Sequence, residues 1–368
     1  MDLKQATTRR VVVKVGTHSL TNGDGTLQGD RFAQLANQLA ALRMKGIEVV
    51  LISSGAIAMG VGELHLKKRP SDLPTLQACA AVGQSRLMNA WREAMGGHHL
   101  LAAQVLLTRE DIRGRRRHLA ARETLQRLLS LGTIPVVNEN DTISTDEIKF
   151  GDNDVLSALV ASLLKADLLV ILSTIPGLMR DGGKGDLIPL VREIDDSIRA
   201  LAGGTENPHA TGGMVTKLEA ADIATRSGCG VFIGSAANPT ILTQIVSGEA
   251  HGTFFLPTAD TLGARKRWIA FFEKSTGSLV LDPGAVKAIL EGNRSLLAAG
   301  ITACEGSFPA SAVIDLRDPA GALIARGITA YDAATIRQFK GMDSSRLREA
   351  HPERSRLEVI HRDNLVVL

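Results

Sequence analysis

The sequence predicts an α/β protein, a three-layer αβα sandwich around a mainly parallel sheet, followed by a small, mainly β domain. Two observations carry this reading. Up to residue 257, short continuous apolar runs alternate with stretches of helical periodicity, as expected of strands buried on both faces beneath crossover helices. Beyond Pro257 the pattern changes to short alternating strands separated by turn residues. At 368 residues the chain exceeds one ordinary core, so two domains fit its length.

The elements follow in order. Arg10-Val11-Val12-Val13-Lys14-Val15-Gly16 reads as a buried strand ending in glycine. Residues 31–44 place Phe32, Leu35, Leu39 and Leu42 on one helical face, and Gly46 ends that helix. Val49 to Ile52 form a second strand, after which Ser53-Ser54-Gly55 opens a short helix. Helices over 76–95 and 119–131 alternate with strands over 100–107 and 134–137. Gly151-Asp152-Asn153-Asp154 then opens a helix whose apolar face is Val155, Leu156, Leu159, Val160, Leu163 and Leu164. A strand over 168–172, a helix over 214–227 and a strand over 231–233 complete the series. Ligands of such sheets bind beyond the carboxyl ends of the strands, where Lys14, Ser54, Asp141 and Ser173 lie.

The C-terminal region reads as a linker over 258–275, containing Arg265-Lys266-Arg267, then strands over 277–281, 312–316 and 357–361 with a helix over 285–291. The expected organisation is therefore a catalytic domain over 1–257, the linker over 258–275 and a small β domain over 276–368.

Composition removes several function classes. A net charge of +3 does not demand a nucleic-acid partner, and 3% aromatics argues against a base-stacking surface as the main activity. Cys79, Cys229 and Cys304 are far apart, with neither metal-ligand spacing nor the even count of a disulfide framework, which predicts a reducing compartment. Residues 1–10 are polar and run directly into a strand, so no signal peptide is expected. Lys165 and Asp167 break the longest apolar region, so no membrane span is expected and the predicted location is cytoplasmic.

Three glycine turns could admit an anion: Lys14-Val15-Gly16-Thr17, Ser53-Ser54-Gly55-Ala56, and Thr211-Gly212-Gly213-Met214 leading to Lys217. None has P-loop spacing, and no Gly-x-Gly-x-x-Gly follows a strand. Lys14 interrupts an apolar strand, and Lys217 sits one turn into a helix, where the macrodipole disfavours a cation. Singly, each could be an ordinary solvated lysine; together they point to bound phosphate. The acidic and amide side chains of Asn138-Glu139-Asn140-Asp141 and Gly151-Asp152-Asn153-Asp154 could bind an amine, arrange Mg²⁺ at one remove, or cap a helix.

Other candidates are weaker. His98-His99 has no acidic or cysteine partner nearby, so no metal-ligating residue is assigned. Arg113-Gly114-Arg115-Arg116-Arg117-His118 fits a lid over phosphates, a nucleic-acid contact, a solvated helix start or a subunit contact. No histidine is placed to activate Ser53 or Ser54. A carboxylate phosphoryl acceptor would need no general base, because its pKa of about 4.3 leaves it ionised at neutral pH.

These segments, with Ser54-Gly55-Ala56-Ile57-Ala58-Met59-Gly60 and Ala81-Val82-Gly83-Gln84, resemble the glutamate 5-kinase family within the amino acid kinases. The resemblance spans nearly the whole chain, the C-terminal part being similar to a PUA domain. It implies the amino acid kinase fold, and transfer of the ATP γ-phosphate to the side-chain carboxylate of L-glutamate as the first step of proline synthesis, with proline as inhibitor. By motif, it implies that Lys14 and Lys217 stabilise the moving phosphoryl group and that Asp154 orients them. It implies that Ser54, Asp141 and Asn153 hold glutamate, with Asp141 facing the ammonium. Nucleotide contacts fall to Lys14, Gly16, Ser173, Thr174, Thr211, Gly212, Gly213, Met214, Val215, Thr216 and Lys217. Mg²⁺ would bridge the ATP phosphates, a homodimer or homotetramer is expected, and the PUA-like domain suggests RNA binding.

One segment departs from the family pattern. After the strand over 168–172 the family usually carries Thr-Asp and then Gly-Leu-Tyr; here the chain reads Ser173-Thr174-Ile175-Pro176-Gly177-Leu178-Met179-Arg180-Asp181. The rival readings are another amino acid kinase, of the N-acetylglutamate or carbamate kinase type, and an RNA-binding PUA protein.

Overall fold

The computed structural model describes residues 8–22, 26–113, 115–143, 152–183, 185–202, 213–258, 266, 268–273, 275–350 and 357–368. The chain divides into two compact units, Met1–Thr261 and Leu262–Leu368.

The first unit is built on an eight-stranded sheet. In chain order its strands are β1 (Arg10–Val15), β2 (Glu48–Ser53), β3 (Ala102–Leu107), β4 (Ile134–Glu139), β5 (Leu168–Ser173), β6 (Leu190–Val191), β7 (Gly230–Ser235) and β8 (Thr253–Phe255). Across the sheet they run β3-β4-β2-β1-β5-β7-β8-β6. All pairings are parallel except β7 with β8, where Val231 faces Phe255. The chain leaves β1 to one side for β2 and returns on the other as β5, so the switch point lies at β1.

Nine helices are described in this unit: α1 (Gly29–Met44), α2 (Ala56–Glu63), α3 (Leu73–Gly96), α4 (Arg109–Arg113), α5 (Arg115–Ser130), α6 (Asp152–Leu164), α7 (Asp196–Ala202), α8 (Met214–Arg226) and α9 (Ile241–Ser247). Strand alternation sorts them into two layers. Val11, Val13, Val15, Val49, Leu51, Val170 and Leu172 face α1 and α3, joining Phe32, Leu35, Leu39, Leu87 and Trp91 in one core. The Phe32 and Trp91 rings pack tilted at 4.6 Å. On the opposite face α6 packs on β1, β2, β4 and β5, and α8 packs on α6.

Helix α3 starts cleanly because the Asp72 carboxylate accepts the Thr75 N–H at 2.9 Å and Pro74 occupies its first turn. Glycines then let α2 and α3 touch backbone to backbone. A Cβ on Gly60 would lie 1.8 Å from the Cys79 carbonyl oxygen, and one on Gly83 1.8 Å from that of Ala56.

The second unit holds β9 (Gly277–Leu281), β10 (Leu296–Leu297), β11 (Ile301–Gly306), β12 (Val313–Arg317), β13 (Leu323–Ile328), β14 (Glu358–Ile360) and β15 (Leu365–Val367). Five of these form a sheet in the order β11-β9-β12-β13-β15, parallel only between β12 and β9, and β10 pairs with β14. Leu279, Leu281, Ile314, Leu316, Ile336 and Phe339 centre its core.

Periodicity does not reveal the six-residue strands β11 and β13, nor several shorter elements. Strands β6, β8 and β10 are two or three residues long, and sequence reading finds none of them. Within the stretch expected to be a linker, Trp268–Phe272 forms a π-helical turn, and Ile269 and Ala270 bury against Val313 and Val366.

Candidate active site

The site forms where the carboxyl ends of β4, β2, β1 and β5 meet the amino end of α6. Lys14 is the fifth residue of β1, opposite Ile52 on β2 and Ile171 on β5. Strand alternation turns it toward α6. Its ammonium meets Asp154 Oδ1 at 2.7 Å. Lys217, in the first turn of α8, meets Asp154 Oδ2 at 3.0 Å, and the Thr216 hydroxyl donates to the same oxygen at 3.0 Å. Lys14 is 6% exposed, Lys217 5% and Asp154 not at all.

This triad carries one positive charge in excess within a buried setting. Burial pulls the Lys14 ammonium below its ordinary pKa; the Asp154 carboxylate opposes that and the Lys217 charge reinforces it. For Asp154, burial alone would lift the pKa, but the two ammonium groups outweigh it and hold the carboxyl below its ordinary value. At Gly16 a Cβ would stand 3.6 Å from Lys14 Nζ, so glycine leaves the approach to the ammonium open.

Beside the triad runs a chain of amides. Asn153 Nδ2 donates to Ser54 Oγ and to Asn138 Oδ1, both at 2.9 Å. Asn138 Nδ2 donates to Gln84 Oε1 at 2.9 Å. Ser54 follows β2, Asn138 lies in β4, Asn153 opens α6 and Gln84 comes from α3. Gly55, at φ +116°, occupies a left-handed conformation that admits the turn from Ser54 into α2. The Trp91 indole N–H donates to Ser53 Oγ at 2.8 Å, so Ser53 belongs to the core and Ser54 to the site.

Asp141, two residues beyond β4, is half-buried and interacts electrostatically with Arg69, a residue sequence reading does not single out. Burial pulls the Arg69 guanidinium below its ordinary value, and Asp141 opposes that shift. Ser173 ends β5 opposite Ser235 of β7, and its carbonyl accepts the Ala236 N–H at 2.8 Å. Thr174 follows it, exposed. The departing segment is anchored beyond them by the Leu178 N–H, which donates to Thr253 Oγ1 at 2.8 Å. Gly213 precedes α8 with an extended backbone, and Met214 and Val215 open that helix. Thr211, Gly212 and Gly151 lie outside the described residues.

The structure thus brings Lys14, Lys217, Asp154 and Thr216 together, and separately joins Ser54 to Asn153. Asn138 and Gln84 are the residues that the structure adds to this cluster. Both stand in segments that carry the family resemblance. In the basic run, Arg117 donates to Asp111 Oδ1 at 3.1 Å and the His118 ring meets the Ile112 carbonyl at 3.0 Å, so these two residues hold the corner between α4 and α5.

The model of the amino acid kinase family matches residues 9–235, and that of the PUA domain residues 277–350. The chain is 46% identical to a glutamate 5-kinase from Myxococcus xanthus, over 98% of this chain and 96% of that one. It is 44% identical to a glutamate 5-kinase from Shewanella oneidensis over the whole of both. The chain belongs to the amino acid kinase family, in its glutamate 5-kinase group. A glutamate 5-kinase from Trichlorobacter lovleyi is 45% identical over 98% of this chain and 97% of that one. In this amino acid kinase the family match covers every described residue of the triad and of the amide chain.

Proposed function

We propose that this chain transfers the γ-phosphoryl group of ATP to the side-chain carboxylate of L-glutamate, giving L-glutamyl 5-phosphate and ADP, the first step of proline synthesis. The observation that carries it is the placement of a doubly paired, buried Asp154 next to Asn153, whose amide is hydrogen-bonded to Ser54. In the reaction a glutamate carboxylate oxygen attacks the γ-phosphorus, and the bond to the β–γ bridging oxygen breaks. No proton has to be removed from the nucleophile, because the carboxylate is already ionised. Lys14 and Lys217 stabilise charge gathering on the transferring group, and Asp154 keeps both ammonium groups converged.

Ser54, Asn153 and Asp141 hold glutamate, Asp141 facing the ammonium. Gly16, Ser173, Thr174 and the 211–217 segment line the nucleotide. Among the described residues no group of three or more His, Cys, Asp or Glu could hold a metal ion, and both Asp154 oxygens are taken by lysines. Among the described residues none builds a cage for a resident Mg²⁺; the ion would come with ATP and would supply positive charge toward the phosphates alongside Lys14 and Lys217.

The catalytic chemistry is assigned to 1–257. Free proline, the end product of the route, is expected to inhibit, and a cytoplasmic homodimer or homotetramer is the expected form. Among the described residues no helix is long and apolar enough to cross a membrane.

The test is ADP release with MgATP and a panel of glutamate, N-acetylglutamate and carbamate, with and without proline. Turnover of glutamate supports the reading. Turnover of N-acetylglutamate without glutamate overturns it. RNA binding with no turnover of any acceptor overturns it in favour of a PUA-based RNA-binding role.

A further inference from the structure

Gln84 is 7% exposed, lies outside the triad, and ends a hydrogen-bond chain that begins at a backbone amide. The Glu139 N–H donates to Asn138 Oδ1 at 2.9 Å. A backbone amide can only donate, so it fixes which atom of the Asn138 amide is oxygen. Asn138 Nδ2 must then face an acceptor, which sets Gln84 Oε1 opposite it at 2.9 Å. Asn153 must in turn offer its NH₂ to Asn138 Oδ1, at 2.9 Å, and the same NH₂ reaches Ser54 Oγ at 2.9 Å.

Two consequences follow at the substrate end. Ser54 Oγ accepts from Asn153 and keeps its own proton to donate. Asn153 Oδ1 is buried with no hydrogen-bond partner among the described residues, an acceptor whose demand is unmet. The geometry holding Gln84 is stiff: Gly83, beside it, lies against the α2 backbone so closely that a Cβ there would fall 1.8 Å from the Ala56 carbonyl oxygen.

We propose that Gln84 is a positioning residue that sets the polarity of the glutamate pocket: acting through Asn138, it holds Asn153 Oδ1 as the acceptor for the substrate ammonium and Ser54 as a donor to a substrate carboxylate. The proposal rests on the glutamate reading above and deepens it. It makes the amino group the feature that Asn153 selects, while Ser54 meets a carboxylate. Glutarate has the same two carboxylates and no amine, so it leaves the Asn153 acceptor unmet.

The experiment compares kcat/KM for glutamate and for glutarate, with saturating MgATP, in the full-length chain and in Gln84→Met and Gln84→Glu. Gln84→Met keeps the length of the side chain and removes the acceptor that orders Asn138. The glutamate-to-glutarate ratio is expected to fall roughly 10- to 100-fold in Gln84→Met, through the glutamate KM, with the ATP KM nearly unchanged. Gln84→Glu still offers Asn138 an acceptor, and the ratio is expected to return to within about threefold of the parent. If Gln84→Met does not fold, Gln84→Ala replaces it in the same comparison, with the same expectation. A folded Gln84→Met or Gln84→Ala protein with the parental ratio overturns the proposal, and so does a folded Gln84→Glu protein whose ratio is lost. Failure of the parent protein to use glutamate at all overturns the underlying reading instead, so the two failures are distinguishable.

Discussion

Lys217 Nζ stands 3.0 Å from Asp154 Oδ2 across the joint between helices α8 and α6, on the carboxylate oxygen that Lys14 leaves free. The pair is structural as well as chemical. Asp154→Asn removes the only carboxylate in this triad and strands two buried ammonium groups. It is expected to lose about 3–5 kcal/mol of unfolding free energy, read by urea denaturation, together with most activity. A stability equal to that of the parent would refute the idea that the triad's charges depend on one another.

Lys14→Met and Lys217→Met should separate rate from affinity. Their partner is charge that develops during transfer, so each is expected to lower kcat by about 10²- to 10³-fold while the glutamate KM moves little. Steady-state kinetics at saturating MgATP checks this. A change confined to the glutamate KM would place these lysines on the wrong substrate.

The pH dependence has a definite sign. Burial lowers Lys14 from its ordinary 10.5, so in the free enzyme its proton leaves at lower pH than that of an exposed lysine. The alkaline limb of kcat/KM for ATP is therefore expected below pH 10.5, and bound triphosphate should move the limb of kcat itself upward. For Asp154, whose folded pKa lies below its ordinary 3.8, the stabilisation is fully present above that value and is lost as pH falls through the folded pKa. Unfolding free energies measured from pH 5 downward should fall more steeply for the parent than for Asp154→Asn.

Gly83→Ala tests the seam between α2 and α3. Its Cβ would overlap the Ala56 carbonyl oxygen, at 1.8 Å, and neither backbone can retreat cheaply. A loss of about 2–3 kcal/mol is expected, along with a raised glutamate KM, because α2 begins just after Ser54. A fully stable alanine variant would show that the helices are not locked.

Asp141→Ala should act on glutamate alone, raising its KM with little change in the ATP KM, because the ammonium it faces belongs to one substrate. Initial-rate measurements varying each substrate in turn decide the point, and unchanged glutamate affinity would remove Asp141 from the pocket.

How much of this was legible in the sequence depends on the kind of signal. Lys14 was legible because a cation inside an apolar strand is chemically incongruous, and the long helices were legible from their periodicity. Asp154 was ambiguous, since a carboxylate at a helix start is also an ordinary cap; the approach of Lys217 on α8 distinguishes the two. Ser53 and Ser54 are adjacent and chemically identical, and their partners tell them apart: the Trp91 indole, 38 positions from Ser53, and Asn153, 99 positions from Ser54. Gln84 was out of reach for the same reason: its partner Asn138 is 54 positions along the chain, and no local pattern records that pairing. The antiparallel β8 was hidden by its length of three residues.

The shared carboxylate also bears on descent. Because residues 14, 154 and 217 balance one another's charge, none can change alone without leaving its neighbours mismatched. Mutational drift at any one of the three therefore carries an electrostatic penalty, whereas on the amide side of the site one neutral group can replace another at far smaller cost.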